Sequence, residues 1–210
     1  MTKRNKGHLI VLEGADQSGK STQARLLAAA LRRRGVSVLR MREPGGTALG
    51  EKIRDILLNP AHRRMTPATE LFLYMASRAQ LVAEKIRPAL ARTGMVLLDR
   101  YLYSSAAYQG YAGGIPPAEI FRMGRIATGG LAPDLVILLD VAPRQGLARR
   151  KRRPDRIEKR GLSFQALVRN GYLTMARREP RRFRVIPSGL SVKKTHHLVL
   201  DIVLRKFRSS

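Results

Sequence analysis

His8-Leu9-Ile10-Val11-Leu12-Glu13-Gly14-Ala15-Asp16-Gln17-Ser18-Gly19-Lys20-Ser21-Thr22 is the stretch that decides how this chain folds. His8 to Glu13 is an apolar run of strand length, and Gly14 to Ser21 satisfies G-x-x-x-x-G-K-[ST] between that strand and a helix. Glycines there let backbone N–H groups turn inward around phosphate oxygens, and the helix opening near Lys20 adds the positive end of its dipole. On this reading Gly14, Ala15, Asp16, Gln17, Ser18 and Gly19 cradle the triphosphate of a nucleotide, and Lys20 reaches its β/γ-phosphates. Ser21 offers a hydroxyl to Mg²⁺, and Thr22 touches the α-phosphate as the helix begins.

Outward from this loop the pattern is alternation. Further aliphatic runs fall at Val36 to Arg42, Met95 to Asp99, Leu135 to Asp140 and Arg184 to Ile186, separated by segments of helical period. Ala24, Leu27, Ala28 and Leu31 recur at helical spacing, and Gly35 follows as a helix stop. Later helices are expected at Leu49 to Leu58, Pro67 to Arg92, Ser104 to Tyr108, Pro117 to Ala127, Pro143 to Arg150, Ser163 to Arg178 and Lys194 to Phe207. The fold class is therefore α/β: a three-layer P-loop NTPase fold with a five-stranded parallel sheet flanked by helices. With 210 residues, no repeat and no linker composition, residues 1–210 read as a single domain.

Composition narrows the classes. There is no cysteine, so disulfides and thiolate metal sites are excluded, and the four histidines show no ligand spacing beyond adjacent His196 and His197. No aliphatic run approaches the ~18 residues of a membrane span, and the basic start leads straight into the first strand without a secretion signal's apolar core. A cytoplasmic protein with no membrane partner is expected. The charge is +26, from 41 basic and 15 acidic residues, and such a field draws polyanions. Nucleotides and nucleic acids both qualify; the arginines are scattered, as a generally Arg-rich composition would leave them, and charge alone speaks for nucleic acid. A base-reading N-K-x-D is missing, since Asn5-Lys6-Gly7-His8 lacks the Asp, and no G-x-G-x-x-G follows the first strand. GTPase and dinucleotide-binding readings fall away.

The acceptor must come from the rest of the chain. Tyr74 and Arg78 are four apart on one helix, so an aromatic plate and a guanidinium share a face. Tyr74 alone reads equally as a core aromatic. With Arg78, and with Gln109 offering an amide, it becomes a pyrimidine reader: Tyr74 stacks, Arg78 donates to thymine O4, and Gln109 pairs the N3–H edge. Cytosine would turn an amino donor on Arg78, and an unpaired buried donor costs roughly 1–3 kcal/mol. Ser105, Tyr108 and Gln109 stand at i, i+3, i+4 and face one pocket. Arg100 leaves the carboxyl end of a central strand, where open α/β sheets place ligands, and is read as bridging the two substrates' phosphates. Asp99 is the outer-shell Mg²⁺ carboxylate; Asp140 competes for that role but has no adjacent arginine. Glu43-Pro44 forms a tight turn near the acceptor sugar, with a cis proline within reach.

These segments, Arg42 to Thr47 (REPGGT), Leu71 to Gln80 (LFLYMASRAQ), Leu98-Asp99-Arg100-Tyr101, Ser104 to Gly110, Pro133-Asp134-Leu135 and Asp155-Arg156-Ile157-Glu158, resemble in order the bacterial thymidylate kinase family, over residues 8 to 185. The resemblance implies transfer of the ATP γ-phosphate to dTMP and a homodimer joined through helices. It implies that Asp16 lies near the deoxyribose 3′-hydroxyl and attacking phosphate, that Arg54 holds the acceptor phosphate, and that Tyr108 packs beneath the sugar and disfavours a 2′-hydroxyl. The thymine 5-methyl is a weaker handle, worth ~1–3 kcal/mol, so dUMP is expected to be a poor but accepted substrate. It also makes Arg149 to Arg160, with eight basic and two acidic side chains, an Arg-rich lid. Arg149 then lies against adenine, and Arg152 and Arg153 approach the γ-phosphate. Gln17 stands where one branch of the family carries a catalytic arginine, so the lid must supply it. Two departures are evident: Tyr74 replaces the usual phenylalanine, and Arg184 to Gly189 replaces the usual Ile-Asp-Ala. The rival readings are another nucleoside monophosphate kinase and a non-catalytic P-loop protein that binds nucleic acid.

Overall fold

In the computed structural model, residues 7–92, 94–149, 153–187 and 189–207 are described. Five strands, β1 (His8–Glu13), β2 (Val38–Arg42), β3 (Met95–Asp99), β4 (Leu135–Asp140) and β5 (Phe183–Pro187), form one parallel sheet in the order β2-β3-β1-β4-β5. The central strands are buried along almost their whole length, as their unbroken aliphatic runs require of a sheet covered on both faces. The edge strands β2 and β5 carry exposed arginines instead, Arg40, Arg42 and Arg184, which discourage further strand pairing.

Alternation along each strand sorts its side chains to the two faces. Ile10, Leu97 and Ile137 pack against α1 (Lys20–Arg32) and α9 (Val192–Phe207) through Leu27, Leu31, Val199 and Val203. Leu9, Val11, Val96 and Leu98 face the other way, onto Leu81, Val82 and Ile86. A third cluster joins Val136 and Leu138 to Tyr103, Tyr108, Tyr172 and Met175. The other helices that flank the sheet are α2 (Ala48–Leu58), α3 (Pro67–Leu81), α4 (Arg87–Ala91), α5 (Leu102–Ser105), α6 (Pro117–Thr128), α7 (Pro143–Ala148) and α8 (Gly161–Arg178). Among the described residues no helix is long and apolar enough to cross a membrane.

Three expectations are adjusted. The second strand begins at Val38, not Val36, and the fifth extends over Phe183–Pro187. The helix expected over Pro67 to Arg92 has a π turn at Val82–Ile86 between α3 and α4. Pro88 has no N–H to continue the regular ladder there, and a wider turn absorbs the loss. A second π turn, Ala106–Tyr111, follows α5 and still presents Ser105, Tyr108 and Gln109 to one cavity. Gly35 does end the first helical segment, in the left-handed region at φ 79°.

Because all strands run the same way, their carboxyl ends meet on one edge. Leu12 and Arg42 both pair with Asp99, so the tips of β1, β2 and β3 stand side by side. The chain leaves β1 toward β2 on one side and later reaches β4 on the other. The crevice at that reversal holds the site.

Candidate active site

Gly14 opens the loop after β1 at φ 143°, and a Cβ there would sit 2.4 Å from the Leu139 carbonyl oxygen, so only glycine fits. Gly19, at φ 95°, turns the chain into α1. Lys20 is buried, and its Nζ donates to Gly14 O at 3.0 Å, Ala15 O at 2.8 Å and Ser18 Oγ at 3.3 Å. Burial, reinforced by the nearby charge of Arg100, pulls the ammonium down to about 8. Ser21 Oγ donates to Asp99 Oδ2. The two groups expected at Mg²⁺ are thus already adjacent, while Asp140 is taken up by a bidentate pair with Arg169 at 2.6 and 2.8 Å.

Arg100 follows β3 with a left-handed backbone, φ 74°, and its N–H donates to Leu12 O at 3.0 Å. Its guanidinium gathers the crevice. It donates to Asp16 at 2.5 Å, to the Gly14 carbonyl and the Ser104 and Tyr108 hydroxyls at 3.1 Å, and to the Tyr172 hydroxyl at 3.2 Å. Burial pushes the Asp16 carboxyl up, but Arg100 and Lys20 outweigh it and hold the group below its usual range. The Tyr108 hydroxyl donates to the other Asp16 oxygen at 3.0 Å. Beneath them lies Glu13, fully buried, accepting from the Tyr101 N–H at 2.9 Å, Ser104 Oγ at 2.6 Å and the Tyr172 hydroxyl at 2.9 Å. Burial raises its carboxyl, and these donors offset part of the rise. Glu13 and Tyr172 escaped the sequence reading. The one signal for Glu13 was an acid closing an otherwise apolar run.

A cavity of about 520 Å³ extends from this loop to the acceptor side. Asp16, Gln17, Gly19, Lys20, Ser21 and Thr22 line one end; Glu43, Pro44, Arg54, Tyr74, Ser105, Tyr108 and Gln109 line the other, with Asp99 and Arg100 between. The Glu43-Pro44 bond is cis, and the Pro44 carbonyl accepts from Arg54 Nη1 at 2.9 Å. The Tyr74 hydroxyl makes no hydrogen bond among the described residues. Arg78 stands apart from its expected neighbours. It is 1% exposed, does not line the cavity, and donates to Glu43 at 2.8 Å and to Tyr101 O and Ser105 Oγ at 3.1 Å. It braces the wall that Glu43 and Ser105 present. Burial drives the Glu43 carboxyl up to about 7 against the pull of Arg78, and its Oε1 is buried without a partner.

The lid segment reaches back onto both halves. Glu158 accepts from Gln17 Nε2 at 3.2 Å, and Arg156 donates through Nε to Leu57 O at 2.8 Å while pairing with Glu70 at 2.5 Å. Arg149 and Arg153 are exposed and do not line the cavity; Arg152 lies outside the described residues, as does Ser188 of the altered final loop. Glu70, with Arg156, is a further residue that spacing did not single out, although it stands one turn before Tyr74.

A phosphate nest at the switch point of a parallel sheet, opening into a second polar pocket, is the arrangement of a P-loop nucleotide kinase. Comparison with known proteins gives the family. The thymidylate kinase family model matches residues 12–199. A thymidylate kinase of Symbiobacterium thermophilum is 45% identical over 96% of either chain, and one of Pelotomaculum thermopropionicum is 47% identical over 94% of this chain and 92% of its own. The crystal structure of thymidylate kinase from Ehrlichia chaffeensis superposes with a TM-score of 0.79 at 30% identity, covering 94% of this chain and 98% of its own. The chain belongs to the thymidylate kinase family.

Proposed function

We propose that the protein transfers the γ-phosphate of ATP to dTMP, yielding ADP and dTDP, within one domain and in the cytoplasm where ATP is available. The observation that carries this reading is the single cavity in which Lys20 and Ser21 face Tyr74 and Gln109 across the Arg100–Asp16 pair. An oxygen of the dTMP phosphate attacks the γ-phosphorus, and the bond to the β–γ bridging oxygen breaks as ADP leaves. That nucleophile carries no proton to remove at neutral pH, so the work is positioning and charge neutralisation.

The loop amides and Lys20 hold the β- and γ-phosphates, with Thr22 at the α-phosphate. Ser21 would hold Mg²⁺ through its hydroxyl and Asp99 would stand behind it in the outer shell, an all-oxygen arrangement suited to that ion; among the described residues no three His, Cys, Asp or Glu cluster into a cage. When bound, the ion supplies charge to the phosphate oxygens. Arg100 spans the two substrates' phosphates and Arg54 grips the acceptor's. Asp16 sits by the sugar, with Tyr108 beneath, and the Glu43 oxygen without a partner accepts from a sugar hydroxyl or water. Tyr74 stacks on the base and Gln109 reads its edge. Arg78 acts by holding Glu43 and Ser105. Arg149 covers adenine, and Arg152 or Arg153 neutralises the γ-phosphate. Two copies pair through the layer in which α3 packs between α2 and α6, where Phe72 is 63% and Ile126 80% exposed.

Release of ADP, measured with ATP and Mg²⁺ across dTMP, dUMP, dCMP, AMP and GMP, tests the assignment. The expected order is dTMP first, dUMP weak and the rest near background. Preference for AMP would reject it, as would no turnover with salt-sensitive DNA binding.

A further inference from the structure

Glu70 sits on α3, fully buried, with no part in gripping either substrate in the scheme above. Its Oε1 accepts from Gln109 Nε2 at 2.7 Å. Its Oε2 lies 2.5 Å from Arg156 and 2.8 Å from Arg160, so two guanidinium groups of the lid segment balance the buried charge. A carboxylate between two guanidinium groups only accepts hydrogen bonds, so Gln109 must turn its NH₂ toward Glu70. The carboxamide is planar, and its oxygen then points the opposite way. Gln109 is 1% exposed, lines the cavity, and has no donor to that oxygen among the described residues.

We propose that Glu70 is a positioning residue that sets the pyrimidine preference by locking the Gln109 carboxamide with its oxygen toward the base. This deepens the reading of the cavity as a dTMP pocket and rests on it. Thymine and uracil carry N3–H, a donor that the locked oxygen satisfies. Cytosine carries a bare N3, which meets oxygen with lone pair against lone pair. Arg78, expected from spacing to reject cytosine, is held through Nε and Nη2 by Glu43, Tyr101 and Ser105 and does not line the cavity, its Nη1 meeting only the Met75 sulfur among the described residues. Discrimination at N3 therefore falls to Gln109, and through it to Glu70.

The test replaces the one-way acceptor by a group that can also donate. In Glu70→Gln the facing amides can pair in either orientation, and Gln109 is free to offer its NH₂ to cytosine N3. The dTMP-to-dCMP ratio of kcat/KM should fall by about tenfold or more, with dCMP gaining in absolute terms. Removing the Glu70 charge leaves buried Arg156 and half-buried Arg160 without their counter-ion, so the same ratio is measured in Glu70→Gln combined with Arg160→Gln, which removes charge of both signs. In the unsubstituted protein, side-chain ¹⁵N–¹H spectra should show one Gln109 amide proton protected from exchange, a readout that needs no variant. An unchanged ratio, with both substrates falling together, would reduce Glu70 to a structural group and overturn the proposal. So would a Gln109 amide exchanging as fast as an exposed glutamine. Turnover of dTMP and dCMP by the unsubstituted protein is recorded first; absence of any preference there would sink the pocket reading itself and this proposal with it.

Discussion

Lys20 is held in a site that disfavours its charge. Burial, with the positive field of Arg100 behind it, lowers the ammonium to about 8, so rising pH neutralises the side chain proposed to grip the triphosphate. In free protein kcat/KM for ATP should decline as pH passes through about 8, whereas kcat should hold to higher pH, because bound triphosphate restores the charged form. A kcat/KM profile flat to about pH 9.5 would contradict this. Much of the cavity's lining was legible at this scale. Motif spacing brought Lys20, Ser21, Asp99, Arg100, Tyr74, Tyr108 and Gln109 to one cavity or its rim. Spacing did not reveal depth: Arg78 shares a helix with Tyr74 yet passes beneath the wall. Nor could it reveal partners far apart in the chain, such as Glu13 with Tyr172, 159 positions on.

Helix α8 carries Tyr172 and Gln165 to the crevice and packs closely on the π turn at Ala106–Tyr111. A Cβ added to Gly171 would lie 2.7 Å from the Tyr111 Cβ, an atom that cannot swing aside. Gly171→Ala should destabilise the fold by about 1–3 kcal/mol, seen as a lower urea midpoint at constant slope. The lid offers a second test. Arg156 and Glu158 pin its later half to α2, α3 and the phosphate loop, and the arginines proposed to serve the γ-phosphate precede them in sequence. Replacing Arg152 and Arg153 together with Ala should lower kcat by about 10² or more while leaving dTMP binding by calorimetry nearly intact. Strands and helices were readable from period because both faces of the sheet are covered. The π turns were not, since ring size leaves no mark on hydrophobic spacing.

At the scale of the molecule, the proposed pairing through α2, α3 and α6 makes Phe72 and Ile126 its apolar anchors. Phe72→Glu should weaken self-association by about thirtyfold or more, giving monomer mass by light scattering at concentrations where the parent is dimeric. The fold class was evident from alternation alone, while this surface was not, because exposed apolar residues show themselves only once the core has claimed the rest. The continuity of the cavity from Lys20 to Gln109 has a pharmacological corollary. Nucleoside and polyphosphate ends joined in one molecule would bind as a chelate, the second arm engaging at an effective concentration set by the tether. Such an inhibitor could exceed either fragment's affinity by about 10²–10⁴ if the linker matches the span across Arg100 and Asp16.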